Sequence, residues 1–428
     1  MPVAAPSSPN SAGSDARAAL HDVLIVGGGL VGASLAIALD RIGVDVGLVE
    51  ATGAGALPAV FDERNLSFAE ATVNALTALG VMQKLRAATG AIERIHISRS
   101  GDFGRSVLDA ARYGRREFGR VVVARDFGEA LEARLVELPR LTRYRPARFV
   151  GLDGDDGTFR AVGVAADGAE HVLRARLLVA ADGTRSGVRE ALGIGSQEHD
   201  YQQTLFVTRV RGTRAPDGTA YERLTAHGPT ALLPRGDRHY GLIHGVAREH
   251  ADAVACLDDA AFLARVQDAF GWRAGRFLAC GARSVYPAIR VLARDIIAPR
   301  AVLVGNAAQT LHPIGAQGFN LGLRDALTLA ELIEQARTRG ADDSGADELL
   351  AAYAQRRRKD RDRTLAFSDG LARLTANDAP LLRPLRSLGL FATDRMPSLQ
   401  AALVGGAMGY RGDVPMLCRS TASSERQA

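Results

Sequence analysis

The chain has 428 residues, 47% of them hydrophobic and 24% charged, with a net charge of +5 at pH 7 and a pI near 9.3. These are globular values, at a length that accommodates two or three structural units. The basic balance does not point to nucleic acid. All but Lys84 and Lys359 of the 53 basic residues are arginine and they are scattered. The one dense run, Arg356-Arg357-Arg358-Lys359 with Arg361 and Arg363, is interleaved with Asp360 and Asp362 and reads as a solvated helix face, ahead of a patch for anionic lipid or nucleic acid.

Residues 1–20, rich in Ala, Ser and Pro, read as a disordered tail and not as a signal peptide. Asp22 to Val26 is a buried-strand run. Gly27, Gly29 and Gly32 then form GxGxxG, leading into the helical pattern Leu35, Leu39, Ile42 and a second strand, Val44 to Val49, that ends in Glu50. Gly27 allows the tight turn, Gly29 lets backbone meet a pyrophosphate and Gly32 packs helix on strand; Glu50 can accept hydrogen bonds from a ribose diol. This unit predicts a dinucleotide site and leaves FAD and NAD both open.

Phe61-Asp62-Glu63-Arg64 precedes a helical segment through Leu76 and Leu79. Ile92 to Val123 and Tyr201 to Tyr286 hold short apolar runs separated by Gly, Pro and Asp, which suit an antiparallel sheet forming a second, substrate-covering layer. Arg125 to Leu138 is helical in pattern, with Leu131 and Leu135 on one face. Leu177 to Gly183 is a strand ending in an acid–glycine turn at Asp182, followed by Ser186 and Arg189.

Ala301 to Val304 is another strand, stopping at Gly305-Asn306. After Pro313, Gly315 and Gly318 let backbone approach a flat ligand, and from Asn320 onward Leu321, Leu323 and Leu327 suit a helix face. The free N–H groups and positive dipole end of that helix start suit an anionic or electron-rich ligand. After the linker-like Ala341 to Gly345, Leu349 to Leu374 is a long amphipathic helix. Pro380, Pro384 and Pro397 punctuate the apolar tail that follows, which reads as a small helical cap or as a greasy entrance and peripheral membrane contact. Cys256, Cys280 and Cys418 suit reduced thiols, no histidine pattern is metal-binding, and no apolar run reaches the ~20 residues that span a bilayer.

In order and spacing from about His21 to Gly409, these motifs resemble the single-component FAD-dependent aromatic hydroxylases, typified by para-hydroxybenzoate hydroxylase: GxGxxG, a DG turn, and a GD turn leading into P-x-G-x-x-G-x-N. The stretch GNAAQTLHPIGAQGFNLGLRD and the residues from Tyr221 through Pro234 are similar to the ubiquinone-biosynthesis branch, nearest the 2-polyprenyl-6-methoxyphenol hydroxylases. Asn306 stands where the wider family has the acid of the GD turn, and its amide can still hydrogen-bond a ribityl hydroxyl.

The resemblance implies an α/β fold: a Rossmann-like FAD-binding domain (21–200 and 287–345, with 92–123 partly in the substrate layer), an inserted antiparallel-sheet substrate domain (201–286) and a C-terminal helical region (346–428). It implies FAD held by Gly27, Gly29, Gly32, Glu50, Arg64, Arg125, Asp182, Asn306, Gly315, Gly318, Phe319 and Asn320, with NAD(P)H as transient reductant. Arg120 is an alternative to Arg125, and either can be a plain surface arginine. Oxygen would add at flavin C4a, and the hydroperoxide would hydroxylate an electron-rich ring. The Pro313 carbonyl would face the reacting oxygen, unless that proline only stiffens the loop. His312 is a proton relay or a structural histidine.

The implied partners are a polyprenyl phenol, O2, a ubiquinone-biosynthesis protein complex and the membrane surface, and the implied location is cytoplasmic, peripheral on the inner membrane. A hydroxylase of a soluble phenol, a prenyl reductase, a halogenase and a flavin-bound non-catalytic subunit of a ubiquinone-synthesis complex are the alternatives. The halogenase calls for a lysine near the flavin tunnel, and the chain has only Lys84 and Lys359.

Overall fold

The computed structural model describes residues 20–155, 157–225, 227–312, 314–376 and 382–419. Residues 1–19 of the expected tail, Pro313 and Pro380 lie outside the described residues. Strands Leu20–Val26 and Val46–Val49 pair in parallel across the glycine turn, and Leu20–Val26 pairs in parallel with Ala169–Ala180 on its other side. Ala301–Leu303 extends the sheet beyond Ala169–Ala180, and Leu141–Tyr144 extends it beyond Val46–Val49, again in parallel. A parallel sheet is covered on both faces, so its strands read as unbroken apolar runs. Val23, Leu24, Ile25, Leu177, Leu178 and Val179 are all fully buried. Burying each such side chain contributes roughly 1.5–3 kcal/mol. The helix Leu30–Arg41 packs against the helix Gln317–Thr338, so the first and last cofactor motifs meet in one α/β layer.

A nine-stranded sheet lies beyond it, ordered Gln309–Thr310, Ser284–Ala293, Ser196–Gly212, Tyr240–Ala247, Gly228–Pro234, Thr219–Thr225, Arg94–Arg99 and Arg105–Asp109, with Phe277–Cys280 beside Ser196–Gly212. Among the described residues every pairing in it is antiparallel except that of Thr219–Thr225 with Arg94–Arg99. Those two strands are far apart in the chain, so no hairpin forces them to run opposite ways. One face of the sheet is sealed by the helix Asp259–Phe270, whose Phe262, Val266 and Phe270 pack with Phe206 and Leu242.

Gly119–Val123 belongs to neither large sheet. It pairs with Asn65–Ala69 and Gly90–Ile92 in a three-stranded sheet of its own. The helix expected over 125–138 runs from Ala124 to Leu135.

The long C-terminal helix spans Asp347–Ala376. Its basic run is not simply a solvated face. Arg357 is 1% exposed, Arg356 reaches Glu331 and Asp413, and the Arg361 Nη2 donates to the Ala293 carbonyl at 2.7 Å. Counter-charges decide the difference: Asp325 and Asp360 lie buried beside Arg357 and make its burial tolerable. Helices Leu382–Arg395 and Pro397–Ala407 follow, the first packed on Arg105–Asp109.

Candidate active site

The glycine turn closes on itself tightly. Gly27 sits at φ +106°, and a Cβ there would lie 2.5 Å from the Ala181 carbonyl oxygen. A Cβ on Gly32 would lie 1.9 Å from the Gly27 carbonyl oxygen, so helix and strand meet at a distance only glycine permits. Gly29 caps the helix Leu30–Arg41 with no side-chain hydrogen bond, which leaves the first N–H groups of the helix available to a ligand.

Glu50 at the end of the second strand accepts from the Gly28 N–H at 2.9 Å and the Thr52 N–H at 2.7 Å, and retains lone pairs for further donors. A small recess beside it is lined by Leu48, Leu57, Pro58, Phe61 and Leu131. Its rim is braced by Glu132, which accepts from Arg143 and Arg145 at 2.7–3.1 Å. Burial would raise the Glu132 carboxyl, but those guanidinium groups outweigh it and hold the pKa below the usual value.

Two turns from distant parts of the chain are clamped together. The Arg189 Nη1 donates to the Ala307 carbonyl at 2.9 Å and its Nη2 to the Thr184 carbonyl at 3.0 Å. The Thr310 hydroxyl donates to the Thr184 hydroxyl at 2.8 Å. Asp182 Oδ2 accepts from the Val188 N–H at 3.1 Å, while its Oδ1 is buried and without a partner. Asn306 is exposed in the second turn. Below that turn, Asp325 accepts from the Gly305 N–H, the Gln309 side chain and the Arg357 Nε, at 3.1, 2.6 and 2.7 Å. Asp360 then ties Arg357 to Arg324 at 2.8 and 2.7 Å. Burial would raise the Asp360 pKa, but Arg324 and Arg357 hold it below the ordinary carboxylate value.

The loop that follows is more varied. His312 is 1% exposed; its Nδ1 accepts from the Ile314 N–H at 3.2 Å and its Nε2 faces Gln203 Oε1 at 3.2 Å, so both ring nitrogens are engaged. Gly318 has open space where a Cβ would be. Phe319 packs its ring against Phe68 and Phe127 at 5.2 and 5.3 Å. The Asn320 Oδ1 accepts from the Ala69 N–H and the Thr72 hydroxyl, and its Nδ2 donates to the Ser67 carbonyl. Its side chain therefore holds the strand Asn65–Ala69. Arg64 lies across the Tyr286 ring and bonds Asp62, while Arg125 is half exposed and paired with Glu63. Arg120 is tied to Glu117 and Thr89.

Between this loop and the nine-stranded sheet lies a cavity of about 150 Å³. Gly315, Gln317 and Asn320 line it together with Ile95, Ile97, Leu108, Phe118 and Leu403, and its charged lining is Glu222, Arg324, Asp360, Arg363 and Arg411. Glu222 is half-buried as a residue, but its Oε1 is fully buried and has no hydrogen-bond partner. Burial pushes its carboxyl up to about 7.

Residues 21–368 match the family described as an FAD binding domain. The chain belongs to that family. It is 36% identical to the ubiquinone hydroxylase UbiL of Rhodospirillum rubrum over 91% of this chain and 89% of that protein. It is 30% identical to the 3-demethoxyubiquinol 3-hydroxylase of Escherichia coli over 91% of this chain and 98% of that one. These relatives place it in the ubiquinone-biosynthesis branch of the FAD-dependent hydroxylases. In fold it is similar to the p-nitrophenol 4-monooxygenase PnpA of Pseudomonas putida, with a TM-score of 0.75, 18% identity and coverage of 92% and 99% of the two chains.

The residues present fit FAD. The glycine cradle admits backbone-close phosphates, Glu50 keeps acceptor capacity, and the unpartnered Asp182 Oδ1 is a buried acceptor whose donor must come from outside the protein. The motifs that carry the resemblance mark this set. Three parts carry no such mark: the Asp325–Arg357–Asp360–Arg324 ion-pair chain, the Arg189 clamp, and Glu222 as a cavity carboxylate. The Asp325–Arg357 and Arg324–Asp360 pairs and the Arg189–Ala307 contact join residues a few tens to more than a hundred positions apart, and Glu222 faces the cavity only through the pairing of its sheet, none of which local spacing announces. Among the described residues no cluster of His, Cys, Asp or Glu could hold a metal ion, and no helix is long and apolar enough to cross a membrane.

Proposed function

We propose that this protein is an FAD- and NAD(P)H-dependent monooxygenase that hydroxylates the ring of a polyprenylated phenol in ubiquinone biosynthesis. The observation that carries the reading is the cavity itself. It has Gly315, Gln317 and Asn320 of the glycine-rich loop on one wall, an apolar sheet face on another, and a volume on the order of one that accepts an aromatic ring. On this reading 21–200 and 287–345 serve FAD, except that 92–123 lies partly in the substrate layer and joins 201–286 in covering the ring, and 346–428 receives the rest of the substrate.

The residues above would hold FAD, which when bound would supply hydride acceptance from NAD(P)H and transfer of one atom of O2 to the ring. The chain's own residues bind and orient. Gly27, Gly29 and Gly32 give the phosphates a close backbone, Glu50 takes a ribose, and Asp182 and Asn306 accept and donate along the ribityl side. The N–H groups at the start of Gln317–Thr338, around Gly318, favour negative charge nearby. Arg64 and Arg125 serve the cofactor from the edge of the site. Ile95, Ile97, Leu108 and Phe118 exclude water from the ring. Pro313 would present its carbonyl to the reacting oxygen, and His312, with both nitrogens engaged, would fix the loop through Gln203 or relay a proton along that contact.

A ring-sized cavity leaves no room for a polyprenyl chain, so the chain must leave past Leu403 and the C-terminal helices. Leu388, Phe391 and Met396 there are 54%, 47% and 48% exposed, an unusual concentration of apolar surface, which supports a peripheral membrane contact. A ubiquinone-synthesis complex is the other way for so insoluble a substrate to arrive.

Quinone profiling of a deletion strain tests the reading. A prenylated phenol lacking one hydroxyl should accumulate, and its structure names the position. An unchanged quinone pool would overturn it. Reduced protein that consumes oxygen no faster with a phenol present would instead indicate a non-catalytic flavin subunit.

A further inference from the structure

Glu222 occupies the middle of the strand Thr219–Thr225, where side chains alternate between faces. Tyr221 and Arg223 point to the outer face: the Tyr221 ring meets Phe270 edge-on at 5.5 Å, and the Arg223 Nε donates to the Ala269 carbonyl at 3.1 Å. Glu222 therefore shares the inner face with Ala220 and Leu224. Ala220 packs there with Ile92, Leu108 and Phe118, which wall the cavity. An acid has been placed on the apolar side of the sheet, where an isolated polar group is costly and normally finds a partner.

Three other polar groups of the cavity are committed. Asp360 is held by Arg324 and Arg357, Asn320 holds the strand Asn65–Ala69, and the Gln317 amide donates to the Gly315 carbonyl at 3.0 Å. The cations lining the same space are Arg324, Arg363 and Arg411. None of them offsets the Glu222 carboxyl, whose rise to about 7 has burial as its cause. A carboxylate facing a ring-sized cavity, with its Oε1 buried and unpartnered, awaits a donor that the protein does not supply.

We infer that Glu222 receives the hydrogen bond, and then the proton, of the ring hydroxyl of the phenolic substrate. The inference rests on the phenol-hydroxylase reading above. The phenolic O–H bond breaks and an O–H bond forms on the Glu222 carboxylate. The electron pair stays on the phenolic oxygen and spreads into the ring, making its carbons better nucleophiles; nothing is oxidised or reduced in this step. Burial also improves the match between the partners. An ordinary glutamate carboxyl near 4.5 lies more than five pH units below a phenol near 10. A carboxyl at about 7 nearly halves that gap, and a base closer to its acid removes the proton more readily.

The test uses the FAD-loaded full chain and 2-methoxyphenol bearing one isoprene unit as probe. Without reductant, wild-type affinity for the probe should strengthen as pH rises from about 5 to 8, because the ionised carboxylate is the stronger acceptor. Glu222→Gln should bind with no such dependence while keeping its FAD affinity. With reductant and oxygen, Glu222→Gln should lose roughly 10²–10⁴-fold in kcat/KM and the acidic limb of the pH profile. Glu222→Asp should retain the limb at a reduced rate.

A Glu222→Gln protein that binds and turns over the probe as wild type does at every pH overturns the inference and leaves the phenol reading intact. Should Glu222→Gln fail to take up FAD, wild type and Glu222→Asp decide. Wild-type probe affinity that is flat between pH 5 and 8 then overturns it. A wild type that neither binds nor hydroxylates the probe removes the phenol reading, and this inference with it.

Discussion

The cofactor cradle and the substrate cavity are built on opposite plans. In the cradle, most polar groups find partners within the protein: Glu50 on two backbone N–H groups, Arg189 across two turns, Asp325 on three donors. Its specificity lies in backbone shape, set by glycines that tolerate no side chain. In the cavity the shape is assembled from side chains of many segments, from Ser67 to Arg411, and the Glu222 carboxylate is left without a partner. A cradle fixed by backbone shape suits a cofactor that stays, whereas a cavity assembled from side chains of many segments suits a ligand that comes and goes.

The sharpest break between the two plans is expected at Gly32. Its missing Cβ would stand 1.9 Å from the Gly27 carbonyl oxygen, so Gly32→Ala must displace the backbone that meets the phosphates. Reconstitution with FAD followed by gel filtration should yield protein without flavin absorbance. Ile97→Ala, a truncation on the cavity wall, should keep its flavin and lose turnover. Equal flavin content in both would erase the distinction.

Next in size is the ion-pair chain beneath the Gly305–Asn306 turn. Arg357→Met leaves Asp325 with two neutral donors and Asp360 with Arg324 alone in a buried site, and breaking a buried pair in that way costs about 3–5 kcal/mol. Urea unfolding of the FAD-free protein measures it. A loss below about 1 kcal/mol would mean that water or repacking already satisfies those carboxylates.

The cradle is legible in the sequence because its chemistry is local. GxGxxG and Glu50 lie within one strand–helix–strand unit, and Asp182 and Asn306 each end a strand. The strand Asn65–Ala69 is not legible: five residues run straight into a helix, and the strand is held from Asn320, some 250 residues away. The buried half of the Arg356–Arg363 run is hidden for a similar reason. Helical spacing shows that Arg357 lies on one face, but only Asp325 on another helix makes that face buried. Glu222 is visible as part of a motif but not as a cavity group, since strand alternation alone does not say which face is inner.

On the cavity side, Glu222 should also be felt in stability. Its folded carboxyl titrates at about 7 against an ordinary 4.5, so between those values the folded state keeps a proton that the unfolded chain has released. Stability should fall as pH rises from about 4.5 to 7 and then level off. Glu222→Gln removes that loss. Each tenfold change in proton affinity is worth about 1.4 kcal/mol, so relative to wild type the variant should gain about 3–4 kcal/mol at pH 8 and almost nothing at pH 4. Thermal midpoints at the two pH values measure the difference. An equal change at both would mean that the acid is not buried as the cavity implies.

A smaller effect is expected from the open acceptor of the cradle. Asp182→Ala removes the buried Oδ1 and should weaken FAD affinity by about 1–3 kcal/mol, the cost of leaving a partner unsatisfied. Asn306→Asp, in an exposed side chain, should keep FAD. Wild-type affinity in Asp182→Ala would place the cofactor's polar contacts elsewhere.

The smallest effect on the folded protein is expected at the surface. Leu388 and Phe391 are about half exposed, and exposed substitutions usually change stability by no more than about 0.5 kcal/mol. Leu388→Ser with Phe391→Ser should therefore leave the fold, the flavin and turnover of the one-isoprene probe in place. A long-chain substrate poses a different problem, because each methylene withdrawn from the bilayer costs ~0.8 kcal/mol unless another apolar surface receives it. If these helices supply that surface, the double variant should lose turnover of the long-chain substrate in vesicles while the short probe is unaffected. Parallel losses on both would mean that the helices only complete the cavity wall through Leu403, and that the membrane is met somewhere else.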